Sequence, residues 1–195
     1  MSKPLDKASK ALILLHGRGS STQDIMRLAP ELCDDDFFIA APNAKDNTWY
    51  PNSFMADEKT NEPWLSSSIG VVKGLIDHIS EHISHDKIFL VGFSQGACLV
   101  LETSSRYAMK YGGVVAFTGG LIGNTVDVKK YNGDFKGTKV FIGNSDRDPH
   151  VPVVRSEQSK AVMEKLGAQV TLKVYEGMGH TVTKAEIDWV KQNIF

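Results

Sequence analysis

Ser94 stands between two glycines in "GFSQG", Gly92 to Gly96, at the point where one apolar run ends and another begins. A serine hydroxyl is a weak nucleophile. To attack an acyl carbonyl it needs a base, and the base needs a third group to orient it. The pattern G-x-S-x-G fits a tight turn from strand to helix, on which the hydroxyl stands clear of the sheet. Glycines two residues either side relieve the crowding of that turn, because they carry no Cβ. The helix opening at Gln95 aims unpaired N–H groups at the reacting oxygen. Its first N–H, that of Gln95, is a candidate donor to the oxyanion. A second donor is expected from the glycine-rich loop "HGRGS", His16 to Ser20, after the first apolar run.

For a strand–turn–helix serine of this kind, the chain order is serine, acid, histidine. "VFIGNSDRDPHVP" supplies Asp146 and Asp148 beyond a later strand. Asp148 is preferred because it lies deeper in the loop, close to the helix start at Pro152; Asp146 remains the alternative acid. "YEGMGHTVT" places His180 between the last strand and the last helix, with Gly177 and Gly179 allowing close approach. A histidine there is a suitable base near neutral pH. His150 shares the acid's loop but precedes the last strand, where the order does not put the base. His78, His82 and His85 recur at helical spacing but fall away from the apolar stripe, as a solvated face does. No carboxylate or cysteine spacing turns them into a metal site, and Cys33 and Cys98 make none between them.

The elements that must carry these residues are short. Apolar runs at Lys10–Leu15, 37–41, 87–91, Gly113–Phe117, 139–142 and Gln169–Tyr175 read as strands. Helical patterns cover 22–29, 68–83, 95–107, 153–166 and 183–193, the first with Ser21 or Thr22 as N-cap and Pro30 as its stop. Most strands are continuously apolar rather than alternating, which means burial on both faces. Strand–helix alternation of this kind predicts an α/β protein with a parallel sheet.

Composition adds exclusions. The 195 residues favour one domain, and a formal net charge of −1 offers no basic face for nucleic acid. The polar start "MSKPLDKASK" lacks the apolar core of a secretory signal, and no run approaches a membrane span. A cytoplasmic setting is the expectation.

Residues 42–67 break the rhythm. This segment is long and holds Trp49, Tyr50, Phe54, Met55 and Trp64. Long segments in compact domains are commonly functional, and aromatic richness argues against disorder. The segment leaves the carboxyl end of the second strand, where open α/β sheets bind ligands. Trp49, Tyr50 and Phe54 are therefore candidate pocket residues, with Leu121 and Ile122 expected as the opposite wall.

Taken together, "LLHGRG", "GFSQGA", "FTGGL", "DRDPHVP" and "GMGHTV" resemble, in order, the phospholipase/carboxylesterase family of α/β-hydrolases, over nearly the whole chain. The resemblance implies a Ser94–Asp148–His180 triad and a second oxyanion donor at the backbone N–H of Arg18. Family members often carry an apolar residue there, so the arginine is a departure. The short N-terminus implies a minimal form of the fold: six parallel strands in the order 2-1-3-4-5-6. The activity implied is hydrolysis of a small-molecule or lipid-like acyl ester, with no metal or organic cofactor. A thioesterase or lysophospholipase using the same triad, and a non-catalytic ligand-binding relative, remain as alternatives.

Overall fold

The computed structural model describes residues 2–195. Six strands form one parallel sheet: β1 Lys10–Leu15, β2 Phe37–Ala40, β3 Ile88–Phe93, β4 Gly113–Phe117, β5 Lys139–Ser145 and β6 Gln169–Tyr175. Their order is β2-β1-β3-β4-β5-β6. Register pairs Leu14 with Val91, Val91 with Val115 and Val115 with Phe141, so one row of side chains crosses the sheet centre. Alternate residues feed two cores. Ala11, Ile13, Leu15 and Leu90 join one, and Leu12, Leu14, Val91 and Phe117 join the other. Burial on both faces is why these strands read as unbroken apolar runs.

The first core is covered by α3 (Trp64–Ser80), α4 (Gln95–Arg106) and α5 (Val153–Lys165). The second is covered by the short α1 (Thr22–Ile25) and α2 (Ala29–Leu32) and by α6 (Lys184–Asn193). On α3 the stripe Leu65, Ile69, Val72, Ile76 and Ile79 is buried, while His78 lies on the exposed face. Among the described residues no helix is long and apolar enough to cross a membrane.

Three elements differ most from the sequence expectation. Residues 22–29 do not form one helix stopped by Pro30. Ser21 caps α1, a 3-10 turn follows at Met26–Leu28, and Pro30 lies in the first turn of α2. A proline is tolerated there because first-turn N–H groups have no intrahelical acceptor to lose. Helix α3 begins at Trp64 rather than 68 and ends at Ser80 rather than 83. Its first turn is held from outside by Glu62, whose carboxylate accepts from Ser66 N at 3.1 Å. Strand β5 runs on to Ser145, which places Asp146 at the strand's end rather than in mid-loop.

The carboxyl ends of the strands are tied together by a buried charge network. Glu102 on α4 is fully buried and accepts from Arg106 Nε (2.7 Å), Ile122 N (2.9 Å), Tyr131 Oη (2.9 Å) and Lys130 Nζ (3.0 Å). Arg106 and Lys130 both reach Glu58, in the long segment after β2. A buried carboxylate survives only with such partners. Here they join the segment after β2, the loop after β4 and α4 into one unit.

At the other side of the sheet, Glu186 and Thr183 form a capping box at the start of α6. Glu186 Oε2 accepts from Thr183, but Oε1 is buried against Gly143 without a partner. Burial pushes the Glu186 carboxyl up from its ordinary value, and the Thr183 bonds only partly offset this. Its stabilising effect is therefore complete at pH values below the ordinary carboxylate range, and is lost as pH rises through the raised value. Glu186→Gln keeps the capping pattern and removes the titration, so it should flatten the dependence of melting temperature on pH above the ordinary carboxylate range. An unchanged slope in the variant would refute this.

Candidate active site

Ser94 sits between β3 and α4 with φ 54° and ψ −116°. That is the left-handed region, which a serine occupies only at a cost of order 1–3 kcal/mol. Its flanks explain the two glycines. A Cβ on Gly92 would lie 2.3 Å from Gly96 O, and one on Gly96 would lie 2.1 Å from Leu15 O. Neither position has room for any side chain. Ser94 N donates to Phe117 O on the neighbouring strand (3.0 Å), and Ser94 O accepts from Cys98 N (3.0 Å), so the turn is fixed at both ends.

Asp148 lies in the turn after β5, its side chain wholly buried. Its Oδ1 accepts from His150 N (2.7 Å) and Val151 N (2.8 Å). That leaves Oδ2 for His180 Nδ1, at 2.7 Å. On the far side of the ring, His180 Nε2 lies 2.8 Å from Ser94 Oγ. An ionised carboxylate only accepts, so the proton on Nδ1 points at Asp148 and Nε2 is left to accept from the serine hydroxyl.

The structure thus brings Ser94, His180 and Asp148 into one hydrogen-bonded line, and leaves Asp146 outside it. Asp146 Oδ1 instead accepts from Gly177 N at 2.7 Å, which pins the loop that carries His180. Gly177 (φ 61°) and Gly179 (φ 75°) give that loop its two left-handed turns. The His150 ring stands edge-on to His180, 4.8 Å between centroids, and bonds Asp148 only through its backbone.

The loop after β1 passes beside the serine: a Cβ on Gly17 would lie 3.4 Å from Ser94 Cβ. Beneath it, His16 is a fully buried scaffold residue. Its Nε2 accepts from Ala44 N (3.0 Å) and its Nδ1 donates to Gly17 O (2.8 Å), which fixes the neutral ring in one tautomer. Gln95 does more than open α4. Its side chain accepts from Trp49 N (3.0 Å) and donates to Tyr50 O (2.8 Å), stapling the aromatic segment to the serine turn. Neither clamp was apparent in the sequence. A buried Gln or His at such a place has no local pattern to announce it.

A cleft of about 430 Å³ opens over Ser94, walled by Arg18, Tyr50, Phe54, Gln95, His150 and His180 among others. Three expected wall residues are absent from it. Trp49 is 3% exposed and turns inward, its indole N–H donating to His16 O at 2.9 Å. Leu121 and Ile122 are fully buried, their N–H groups held by Ser159 Oγ and Glu102. Arg155 fixes the same loop, donating to Leu121 O (2.7 Å) and Gly123 O (2.8 Å). Trp64 belongs to α3 and is 52% exposed, so the aromatic segment is part core and part surface. Cys98 reaches the cleft floor, but burial pushes its thiol up to about 12, so it is no thiolate near neutral pH.

These positions separate two aromatic residues. Trp49→Ala should cost roughly 3–5 kcal/mol of stability, because it empties a core site and orphans His16 O. Phe54 is also buried but lines the cleft, so Phe54→Ala should raise kcat/KM for longer acyl esters relative to short ones beside any loss of stability. Melting curves and an ester chain-length series check both; a chain-length shift in the Trp49 variant alone would reverse the assignment.

The sheet order, the helices on both faces and the serine turn are those of an α/β-hydrolase. The model of the phospholipase/carboxylesterase family matches residues 1–194, and the chain belongs to that family. It is 28% identical over 202 residues to acyl-protein thioesterase 1 of Kluyveromyces lactis, spanning 92% of this chain and 88% of the relative. It is 30% identical over 142 residues to acyl-protein thioesterase 1 of Saccharomyces cerevisiae, spanning 72% of this chain and 61% of the relative. Among solved structures, a phospholipase/carboxylesterase from Dyadobacter fermentans superposes with a TM-score of 0.97 at 45% identity, covering 100% of this chain and 93% of that one.

Proposed function

We propose that this chain is a serine hydrolase that cleaves carboxylic esters through an acyl-enzyme. The observation that carries the reading is the unbroken line Asp148–His180–Ser94, at 2.7 and 2.8 Å, ending on a strained, cleft-facing serine. In this reading His180 Nε2 takes the Ser94 proton as Oγ attacks the acyl carbonyl. The backbone N–H groups of Gln95 and Arg18 receive the oxyanion. His180 then returns its proton to the departing alcohol, leaving the acyl group on Ser94. Water, deprotonated by His180, attacks the acyl-enzyme; the acid leaves and Ser94 recovers its proton. Asp148 holds the ring in the working tautomer and stabilises its cation. No step draws on a metal or an organic cofactor.

The relatives named acyl-protein thioesterase favour a second reading with the same residues and a thiol leaving group. Deacylation is identical in the two. The compact cleft, about 430 Å³ with Tyr50 and Phe54 in its wall, favours short acyl groups over long ones. A cytoplasmic setting belongs to the same proposal; Cys33 and Cys98 are both free thiols. The test is a 4-nitrophenyl ester series from acetate to palmitate beside an acyl-thioester. The proposal expects kcat/KM to peak at short esters. A peak at long chains, or a thioester preferred at equal chain length, would move the assignment to the second reading, and no turnover of any of them would reject both.

A further inference from the structure

The cleft over Ser94 carries a cation that no carboxylate of its lining balances. Arg18 is exposed on its wall, one residue from the Gly17 that adjoins the serine. Its guanidinium is held in place by neutral groups: Nη1 donates to Pro51 O at 2.7 Å, Nη2 to Asn52 O at 2.6 Å, and Cζ lies 5.9 Å from the Tyr50 ring centroid. Those two bonds use two of its five N–H donors. Among the described residues no carboxylate pairs with it, and neither Asp nor Glu lines the cleft. Asp148, the nearest acid in the candidate machinery, is buried behind His180. The other basic residues around the strand ends are satisfied differently. Arg106 and Lys130 share Glu58 and Glu102; Arg155 bonds main-chain carbonyls and does not line the cleft.

A guanidinium pinned at a cleft wall, with donors to spare and no acid in the cleft lining, attracts and orients a carboxylate. We infer that the cleft takes esters bearing a free carboxylate, which pairs with Arg18 while the ester carbonyl meets Ser94. The inference rests on the esterase reading and names its substrate class. A purely structural Arg18, pinning the turn at residues 51–52, would affect charged and neutral esters alike.

Two matched pairs test this and place the charge in either half of the ester. Mono-4-nitrophenyl succinate against 4-nitrophenyl butyrate puts it in the acyl half; 4-acetoxybenzoate against phenyl acetate puts it in the alcohol half. The readout is the kcat/KM ratio of charged to neutral partner, so any general loss of activity cancels. Wild type should favour the charged partner of one pair by about tenfold or more, the range of a charge-assisted bond. The ratio should fall toward 1 in Arg18→Gln, recover in part in Arg18→Lys, and decline as salt is raised. A wild-type ratio near 1 in both pairs, or one unchanged in Arg18→Gln, overturns the inference. If wild type hydrolyses none of the four, the esterase reading fails, and succinate binding decides the anion site by itself. A melting temperature raised by succinate in Ser94→Ala but not in Arg18→Gln/Ser94→Ala supports it, and no Arg18-dependent shift overturns it.

Discussion

Ser94→Ala is expected to lower kcat by roughly 10⁴–10⁶-fold while leaving the fold intact. The size follows from the geometry. Every covalent step of the proposed cycle passes through Ser94 Oγ, and His180 Nε2 has no other hydroxyl bonded to it in the line. The remaining activity would come from the oxyanion donors and binding alone. Alanine also removes only a hydroxyl. The backbone bonds of the turn, Ser94 N to Phe117 O and Cys98 N to Ser94 O, do not depend on the side chain. The melting temperature should therefore stay close to wild type. Activity near wild type in the variant would remove Ser94 from the mechanism.

Asp148→Asn should cost about 10⁴-fold in kcat, and Asp146→Asn far less. The two acids differ in what they touch. Asp148 Oδ2 accepts the Nδ1 proton of His180, and Oδ1 accepts two backbone N–H groups. An asparagine retains one acceptor, which the two N–H groups occupy, and turns its amide N–H₂ toward the ring. The ring then takes the tautomer that presents a proton to Ser94 instead of a lone pair, and the imidazolium loses its counter-charge. Asp146 meets Gly177 N, the Ser145 hydroxyl and, at 4.0 Å, the Arg147 guanidinium, and does not touch His180. Its amide loosens the His180 loop without altering the tautomer. The pair should be compared at saturating substrate, and equal losses in kcat would mean that the acid was assigned wrongly.

What the sequence disclosed and what it hid divide along physical lines. The strands were legible because both sheet faces are covered, so β1, β3 and β4 show as unbroken apolar runs. The serine turn was legible because its strain demands glycine at 92 and 96, where any Cβ collides with backbone. Asp148 was separable from Asp146 only by its depth in the loop, and β5 extending to Ser145 gives the reason: Asp146 is spent where that strand ends. The misplaced residues are those whose environment comes from far along the chain. Trp49 looked like a pocket wall, but its indole is held by His16, 33 residues earlier, and its N–H by Gln95, 46 residues later. Leu121 and Ile122 do follow the β4 strand end, yet Ser159 and Glu102 draw their backbone into the core. Pro30 ended a helix by rule and began one in fact, since its missing N–H was not needed there.

Covalent labelling by a fluorophosphonate measures the central claim most directly, because the reagent reacts readily with a serine when a neighbouring base activates it and N–H groups donate to the phosphoryl oxygen. Intact mass and peptide mapping should find one adduct per chain, on Ser94, absent from Ser94→Ala and formed far more slowly in Asp148→Asn. No adduct, an adduct on another residue, or equal labelling of the Ser94→Ala protein would contradict the account.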